Sequence, residues 1–509
     1  MKSEPVLVGI DVGATGIKTA FFRTDGTIVA KAQRPNGPHL QAGGPPGWWI
    51  WDADEMWRKV CVCLQECAGG AAGAVPAAVA VTGFGTDGLP IDRSGQPLFP
   101  IISWHCSRTV PQRDRLLTQV SAEELFDITG YHPYPINSIH RWMWLREHAP
   151  RALDNAYRWL QVQDYIAYRL SRACATDVTI ASTTMALDIR RRTWSDRLLA
   201  LSGMPPDRLC PIRESGTVIG QVTSESAEST GLPKDIVVVT GGHDCELGVL
   251  GAGVRDPHTF IDISGTWEII IAVVDRCAPT LGMYRAGLDY ECHALPGQWI
   301  LQGLMIAGGV IEWVGCQFYR DIPDLEQRYK TMIEEAKGVT PGSGGVAVFP
   351  CWVGGMGPYF AYGSLGAITG LSTTSDRRQV ARATWEALCF QLRRQLDAIE
   401  QETRLAARKF RVVGGGQKNA FWTQMKADIT GRTAEVALFD EPTLLGVAIA
   451  AGIGAGVYRS VSDALEAVSF PVEEVEPNRE MRAMYESLYE SRTKQLAEGL
   501  AVASRRPGA

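Results

Sequence analysis

Gly9-Ile10-Asp11-Val12-Gly13-Ala14-Thr15-Gly16 is the stretch on which the reading of the fold turns. An apolar β-branched run from Val6 leads into it. A second run, residues 16–23, leaves it at once and reaches Thr24-Asp25-Gly26, a turn signal, and residues 27–34 supply a third. Strand, glycine turn, strand predicts a hairpin that extends into a meander. The strand-to-helix step of a P-loop or a dinucleotide fold is different. Half a chain later the pattern returns, because Ile261-Asp262-Ile263-Ser264-Gly265-Thr266 echoes Ile10-Asp11-Val12-Gly13-Ala14-Thr15. Six residues alone could be coincidence. Placed at the same point of each half, after a strand and in a tight turn, they imply a duplicated domain.

The rest of the chain fits that division. Apolar spacing predicts helices over 53–65, 122–128, 138–147 and 163–170, and a short buried strand over 77–81. Residues 236–240 form a Val/Ile run that ends in Gly241-Gly242-His243-Asp244. Further helices are predicted over 309–319, 325–336, 377–405, 420–430 and 444–452, and a strand over 411–413 opens into Gly414-Gly415-Gly416. From Val472 the tail reads as a charged helix to about residue 500, with 505–509 fraying. The class is mixed α/β with two domains, 1–245 and 246–509. By analogy, two related halves closing on a nucleotide is the actin-like (ribonuclease H-like) architecture with a deep interdomain cleft.

Bulk properties narrow the function. A chain of 509 residues exceeds one core, and 45% hydrophobic with 21% charged residues is ordinary for a globular protein. A formal charge of -6 gives no general footprint for nucleic acid or an anionic membrane. Residues 1–5 lack the apolar core of a signal peptide, and no run approaches the roughly 20 apolar residues of a membrane span. A cytoplasmic setting with 12 reduced cysteines is therefore expected. Cys61, Cys63 and Cys67 have no second cluster at zinc spacing, so they read as small buried hydrophobes on a helix.

Phosphoryl transfer needs held phosphates, a metal, a positioned hydroxyl and a base. Gly13-Ala14-Thr15-Gly16 and Ser264-Gly265-Thr266 are turns whose backbone N–H groups and Thr hydroxyls can approach phosphate oxygens. Asp11, at the end of the first strand, could hold Mg²⁺ directly or through water. Gly414-Gly415-Gly416, followed by Asn419 at a helix start, allows close approach of a ligand, and Gly308-Gly309 is a weaker case. Asp244 follows a strand and two glycines, where a base could sit, although an N-cap role is as natural for such an Asp. Asp87, Trp104, His105 and Arg108 supply the aromatic, carboxylate and guanidinium mixture of a sugar site. Trp48, Trp49 and Trp51 read as packing at a domain edge.

In combination these motifs resemble the FGGY family of carbohydrate kinases, most of all its L-fuculokinase branch. They run in order from Gly9 to Asp428: 9–15, 82–88, 100–109, 242–244, 264–269 and 413–428. The resemblance implies ATP-Mg²⁺ mostly on the second domain and a small ketose mostly on the first; with the charge and the lack of a membrane span, no nucleic-acid or membrane partner is expected, and a homodimer is possible. It implies Asp244 as the base and Asp11 as the metal and phosphate-side Asp. Thr15, Gly265 and Thr266 then belong to the phosphate turns, and Gly308, Glu312, Gly415 and Asn419 to the nucleotide lining. The chain departs from the pattern at Cys245-Glu246, at His105 where a Lys is usual in that branch, and in 349–371, which lacks a Gly-Glu-Arg run. L-Fuculose is the expected acceptor. L-Xylulose, D-ribulose, L-rhamnulose and erythritol are the alternatives, with a non-catalytic sensor on the same fold as a third reading.

Overall fold

A computed structural model describes residues 5–71, 73–353 and 366–490. Two mixed sheets organise it. The first contains β1 (Pro5–Val12), β2 (Gly16–Phe22), β3 (Ile28–Pro35), β4 (Val75–Gly83), β5 (Val218–Gln221) and β6 (Val237–His243), in the order β5-β6-β4-β1-β2-β3. The second contains β7 (Thr259–Ser264), β8 (Trp267–Val274), β9 (Leu288–Cys292), β10 (Trp299–Ile306), β11 (Lys409–Val413), β12 (Thr433–Ala437) and β13 (Val472–Val475), in the order β9-β10-β8-β7-β11-β12-β13.

Apart from β9 at one edge, the second order repeats the first strand for strand. Each half opens with an antiparallel meander, β1-β2-β3 or β7-β8-β10. Two parallel pairings follow, β1-β4-β6 and β7-β11-β12, and an antiparallel edge strand closes each sheet, β5 or β13. The two glycine turns that echo each other in sequence occupy equivalent places in two copies of one topology.

β1 is apolar from Val6 to Ile10 because both of its faces are covered. Val6, Val8, Ile10 and Val12 pack in the core that holds Val60 and Leu64 of helix α1 (Ala53–Gly70). Leu7, on the opposite face, packs with Leu444, Val447 and Ala448. Cys63 and Cys67 are buried in the α1 core, as the reading of them as small hydrophobes expects.

The cover on the second face comes from the other half of the chain, and it fixes the helix that begins at Asp244. This helix, α2 (Asp244–Gly251), crosses a later one, α6 in the series α3 (Gly308–Phe318), α4 (Arg377–Thr403), α5 (Ala420–Thr430) and α6 (Pro442–Gly454). A Cβ on Gly251 would stand 1.8 Å from the Pro442 carbonyl oxygen, and one on Gly446 would stand 1.8 Å from that of Leu247. The two helices therefore meet backbone to backbone, which the absence of side chains at both positions permits.

In the second half α4 is buried along most of its length. Leu392, Leu396 and Ile399 pack on the sheet residues Phe260, Ile270 and Leu301, while Trp385 and Leu388 pack with Trp422, Met425 and Ile429 of α5.

The tail corrects one expectation. Residues 472–475 form strand β13, paired with β12 through Ala434↔Val475 and Ala437↔Val472, before helix α7 (Arg479–Leu488) begins. Val472 and Val475 are half-buried and the two exposed glutamates between them suit an edge strand, and their charge disguised it. The predicted helix beyond 490 and the frayed end lie outside the described residues, as does 354–365 of the segment lacking Gly-Glu-Arg. No described helix is long and apolar enough to cross a membrane.

Candidate active site

Register brings the first group of predicted residues to one edge. Asp11 lies opposite Thr82 and Val12 opposite Gly83, while His243 pairs with Gly83 from the other side. The C-terminal ends of β1, β4 and β6 thus finish level, which is where open α/β sheets hold ligands. Asp11, the loop after Gly83 and Asp244 all leave from this crest. Thr82 Oγ1 donates to the Gly242 carbonyl at 2.7 Å and ties two of the strand ends together.

Asp244 is the first residue of α2; the N-cap is His243, whose backbone is extended. The capping reading of Asp244 therefore gives way to a carboxylate at the helix N-terminus, where the helix dipole favours negative charge. Burial raises its pKa, while the His243 charge and the Cys245 N–H work against that rise. Asp11 is pushed up to about 8, first by burial and then by the charge of Asp244, with Lys18 opposing. Asp11 Oδ1 is buried and has no hydrogen-bond partner among the described residues. A bare buried carboxylate oxygen is costly unless a cation or proton satisfies it, and this donor suits Mg²⁺.

The equivalent residue of the second half has lost that freedom. Asp262 Oδ2 accepts from Lys426 Nζ at 2.7 Å, and Glu268 Oε1 lies 2.5 Å from the same ammonium, all of it buried. The duplicated Asp joins a buried ion cluster in one copy and keeps an unpartnered buried oxygen in the other.

Two adjoining cavities run from the second sheet to Asp11. The larger, ≈ 510 Å³, is lined by Gly265, Thr266, Gly308, Glu312, Gly415 and Tyr329 among others. The smaller, ≈ 280 Å³, is lined by Asp11, Lys18, Gly415, Lys418, Glu441 and Thr443 among others, so Gly415 belongs to both. Five residues predicted from sequence for the nucleotide thus share one wall. The Gly265–Thr266 turn is pinned to the start of α3, since Gly308 N donates to Gly265 O at 3.1 Å and Gly309 N to Thr266 O at 3.2 Å. Gly414 has φ +89, a left-handed conformation that other residues rarely adopt, and it carries β11 close past Ser264.

Asn419 stands behind this wall. Its Oδ1 caps α5 by accepting from Trp422 N at 3.1 Å, and its Nδ2 donates to Tyr329 Oη at 2.9 Å. Thr15 is exposed in the first turn, which Asn36 braces through the Gly13 and Thr15 carbonyls. A still larger cavity, ≈ 870 Å³, is lined by Val249, Val273, Glu402 and Leu465 among others and contains none of these residues.

The sugar-side residues divide. Trp104 is half-buried and stacks on the exposed His105 with ring centroids 3.7 Å apart. Asp87 is fully buried and accepts from Trp51 Nε1 (2.7 Å), Trp104 N (2.9 Å), Thr86 Oγ1 (3.1 Å) and Arg141 Nη2. Four donors fill a carboxylate's acceptor sites, so Asp87 holds the wall and does not face the cleft. Arg108 is buried too, its guanidinium 4.1 Å from the Trp48 ring centroid and 5.1 Å from that of Trp144. Trp48 and Trp51 therefore support the site-side loops in addition to packing. Thr86 has φ +73, a strained conformation for a β-branched residue, in the loop between these groups.

Three site residues escaped the sequence reading. Lys18 is the direct cross-strand partner of Asp11, which the short turn between them could have revealed. Glu441, at φ +57, accepts from Lys18 Nζ (2.9 Å) and Lys31 Nζ (3.1 Å) and ties the first sheet to the N-terminus of α6. Glu291, which reaches His243, carries no local signal because the contact joins strands of different sheets.

Comparison with known proteins places the family. Residues 6–251 match the FGGY family of carbohydrate kinases, N-terminal domain, and residues 263–455 match its C-terminal domain. The chain is 31% identical over 468 residues to an L-fuculokinase of Escherichia coli K12, covering 91% of this chain and 95% of that one. It is 28% identical over 477 residues to an autoinducer-2 kinase of the same strain, covering 91% and 88%. Its fold superposes on a xylulose kinase from Rhodospirillum rubrum with a TM-score of 0.85 at 24% identity, over 97% of this chain and 98% of that one. A Plasmodium falciparum glycerol kinase with ADP gives 0.84 at 20%, over 97% and 98%. The fold is the two-domain, actin-like fold of sugar kinases. The chain is an ATP-dependent sugar kinase and belongs to the FGGY family of carbohydrate kinases.

Proposed function

We propose that the chain transfers the γ-phosphate of ATP to a hydroxyl of a small ketose, with Asp244 as base and L-fuculose as acceptor. The observation that carries the reading is the setting of Asp244: a carboxylate on the strand-end crest, close enough to Asp11 for their charges to interact. In the reaction Asp244 takes the hydroxyl proton, the freed oxygen attacks the γ-phosphorus, and the bond to the β,γ-bridging oxygen breaks, releasing ADP. Gly265, Thr266 and Gly415 offer backbone and hydroxyl donors to the phosphates; Gly308 and Glu312 line the space for the rest of the nucleotide. Asp11 would hold Mg²⁺, whose charge offsets that of the phosphates during transfer. Trp104 and His105 offer the stacked face for the sugar, and Asp87 and Arg108 hold that face from behind.

The acceptor is supported by the four L-fuculokinases at 29–31% identity, each spanning more than nine-tenths of this chain. The experiment is an ADP-release assay over L-fuculose, L-xylulose, D-ribulose, L-rhamnulose, erythritol and autoinducer-2. A single methyl or hydroxyl in such a pocket is worth about 10–200-fold, so L-fuculose should lead in kcat/KM by at least about tenfold. A higher value for another acceptor would reassign the substrate. Sugar binding by calorimetry with no ADP from any acceptor would favour a sensor.

A further inference from the structure

Asp289 and Glu291 alternate along strand β9 and share one face of the sheet edge, and His293 follows just past the end of the strand. Each meets a buried partner from the first half or from α2. Asp289 Oδ1 accepts from the His132 backbone N–H at 2.8 Å, and Asp289 Oδ2 accepts from Tyr134 Oη at 2.9 Å. His293 Nδ1 lies 3.1 Å from Glu246. The middle position leads to the base.

Glu291 is fully buried. Its Oε1 accepts from Tyr131 Oη and from Gln302 Nε2 at 2.6 Å, and its Oε2 lies 2.9 Å from His243 Nδ1. The other ring nitrogen, Nε2, lies 3.3 Å from Asp244 Oδ1. The His243 backbone is held as well, its N–H donating to Thr179 Oγ1 at 2.7 Å.

We infer that Glu291 and His243 are positioning residues for Asp244: Glu291 reaches from the second sheet to orient the His243 ring, and the ring holds one oxygen of the base so that the other meets the acceptor hydroxyl. The inference rests on Asp244 being the base. It makes the base correct in orientation when the second half is docked against α2, because Glu291 belongs to one half and Asp244 to the other.

The charge balance supports the geometry. Burial alone would lower the His243 pKa, but the charges of Glu291, Asp244 and Asp177 outweigh it and push the ring up to about 9. At neutral pH the ring therefore carries positive charge, its Nδ1 donating to Glu291 and its Nε2 facing Asp244 Oδ1 as an ion pair. The cation in turn opposes the rise that burial imposes on Asp244. The titratable groups around this pair are Glu291 from β9, Asp177, Tyr131, Asp11, and Cys245 and Glu246 on α2.

The test uses His243→Asn, which keeps a favoured helix N-cap, Glu291→Gln, which keeps the side-chain shape, and the double variant, read by kcat, KM for ATP, the pH profile of kcat and thermal melting. Each single variant should lower kcat about 10–100-fold, part of the 10²–10⁴ that a base contributes, with KM for ATP within about twofold. The double variant should be no slower than His243→Asn, because Glu291 acts through the ring. Without the Glu291 charge the His243 pKa falls, Asp244 faces less positive charge, and the acid limb of kcat moves to higher pH.

Multiplying effects in the double variant, or lost kcat with an unmoved acid limb, would overturn the inference. So would one tightly bound transition metal per chain lost in Glu291→Gln, since ligand atoms of His243, Glu246 and Glu291 lie within 4.8 Å of one another. If Glu291→Gln does not fold, the acid limb of His243→Asn decides. Failure of the base reading looks different: Asp244→Asn would keep turnover, whereas an inactive Asp244→Asn beside wild-type rates in both positioning variants sinks this inference alone.

Discussion

Asp11 and Asp262 show how one residue type in duplicated turns acquires opposite roles. Lys426 satisfies the second, and the first keeps a buried, unpartnered oxygen beside Asp244. That difference predicts the behaviour of Asp11→Asn. The variant should keep the fold, since it removes a carboxylate whose ionisation burial already opposes. It should weaken Mg²⁺ dependence and kcat/KM on the order of 100-fold, in line with losses on disturbing a metal site. If Asp11 holds Mg²⁺ as proposed, the metal competes with a proton whose pKa burial pushes up to about 8, so the Mg²⁺ concentration for half-maximal rate should rise as pH falls below that value. Mg²⁺ titrations at several pH values check both, and an Asn variant with native Mg²⁺ response would remove Asp11 from the metal site.

At this scale the sequence was a good guide to groups that share a strand end or a turn. Asp11, Gly265, Thr266 and Gly415 were legible because glycine turns announce themselves. Asp87 and Arg108 were legible as site-side residues but not as buried supports. Which way a polar side chain in a loop turns depends on Trp48, Trp51 and Arg141, which arrive from other segments.

Among elements, the contact between α2 and α6 sets where Asp244 sits. Gly446→Ala poses two effects against each other. Helix propensity alone would favour Ala by about 1 kcal/mol. The new methyl, however, would stand 1.8 Å from the Leu247 carbonyl oxygen, which is backbone and has no rotamer to give. Overpacking of this kind costs about 1–3 kcal/mol, occasionally more, so the net change should be destabilising. A lowered melting temperature together with a reduced kcat is expected, because the displaced helix begins at Asp244. A melting temperature at or above the native value would show that the helices can part without cost.

An unbroken apolar run, as in β1, and helical spacing, as in α5, were readable. β13 and β9 were not. Val472-Glu473-Glu474-Val475 is too short and too charged to stand out from a helix. Leu288 to Cys292 owes its acidic residues largely to partners far away in the first half of the chain, which no local pattern encodes.

For the molecule as a whole, the repeat in sequence foretold the repeat in topology, and the register of three parallel strands then placed the chemistry at one crest. The interdomain polar ladder of Asp289, Glu291 and His293 lay beyond that reading, because it needs the two sheets already docked. The account depends most on a carboxylate at that meeting place removing the acceptor's proton. The direct measurement is single-turnover phosphoryl transfer by Asp244→Asn at saturating MgATP and acceptor, beside nucleotide affinity and melting temperature. The account predicts a transfer rate lowered about 10²–10⁴-fold with nucleotide binding and fold retained. A folded Asp244→Asn protein that transfers phosphate within a few-fold of the native rate would contradict it.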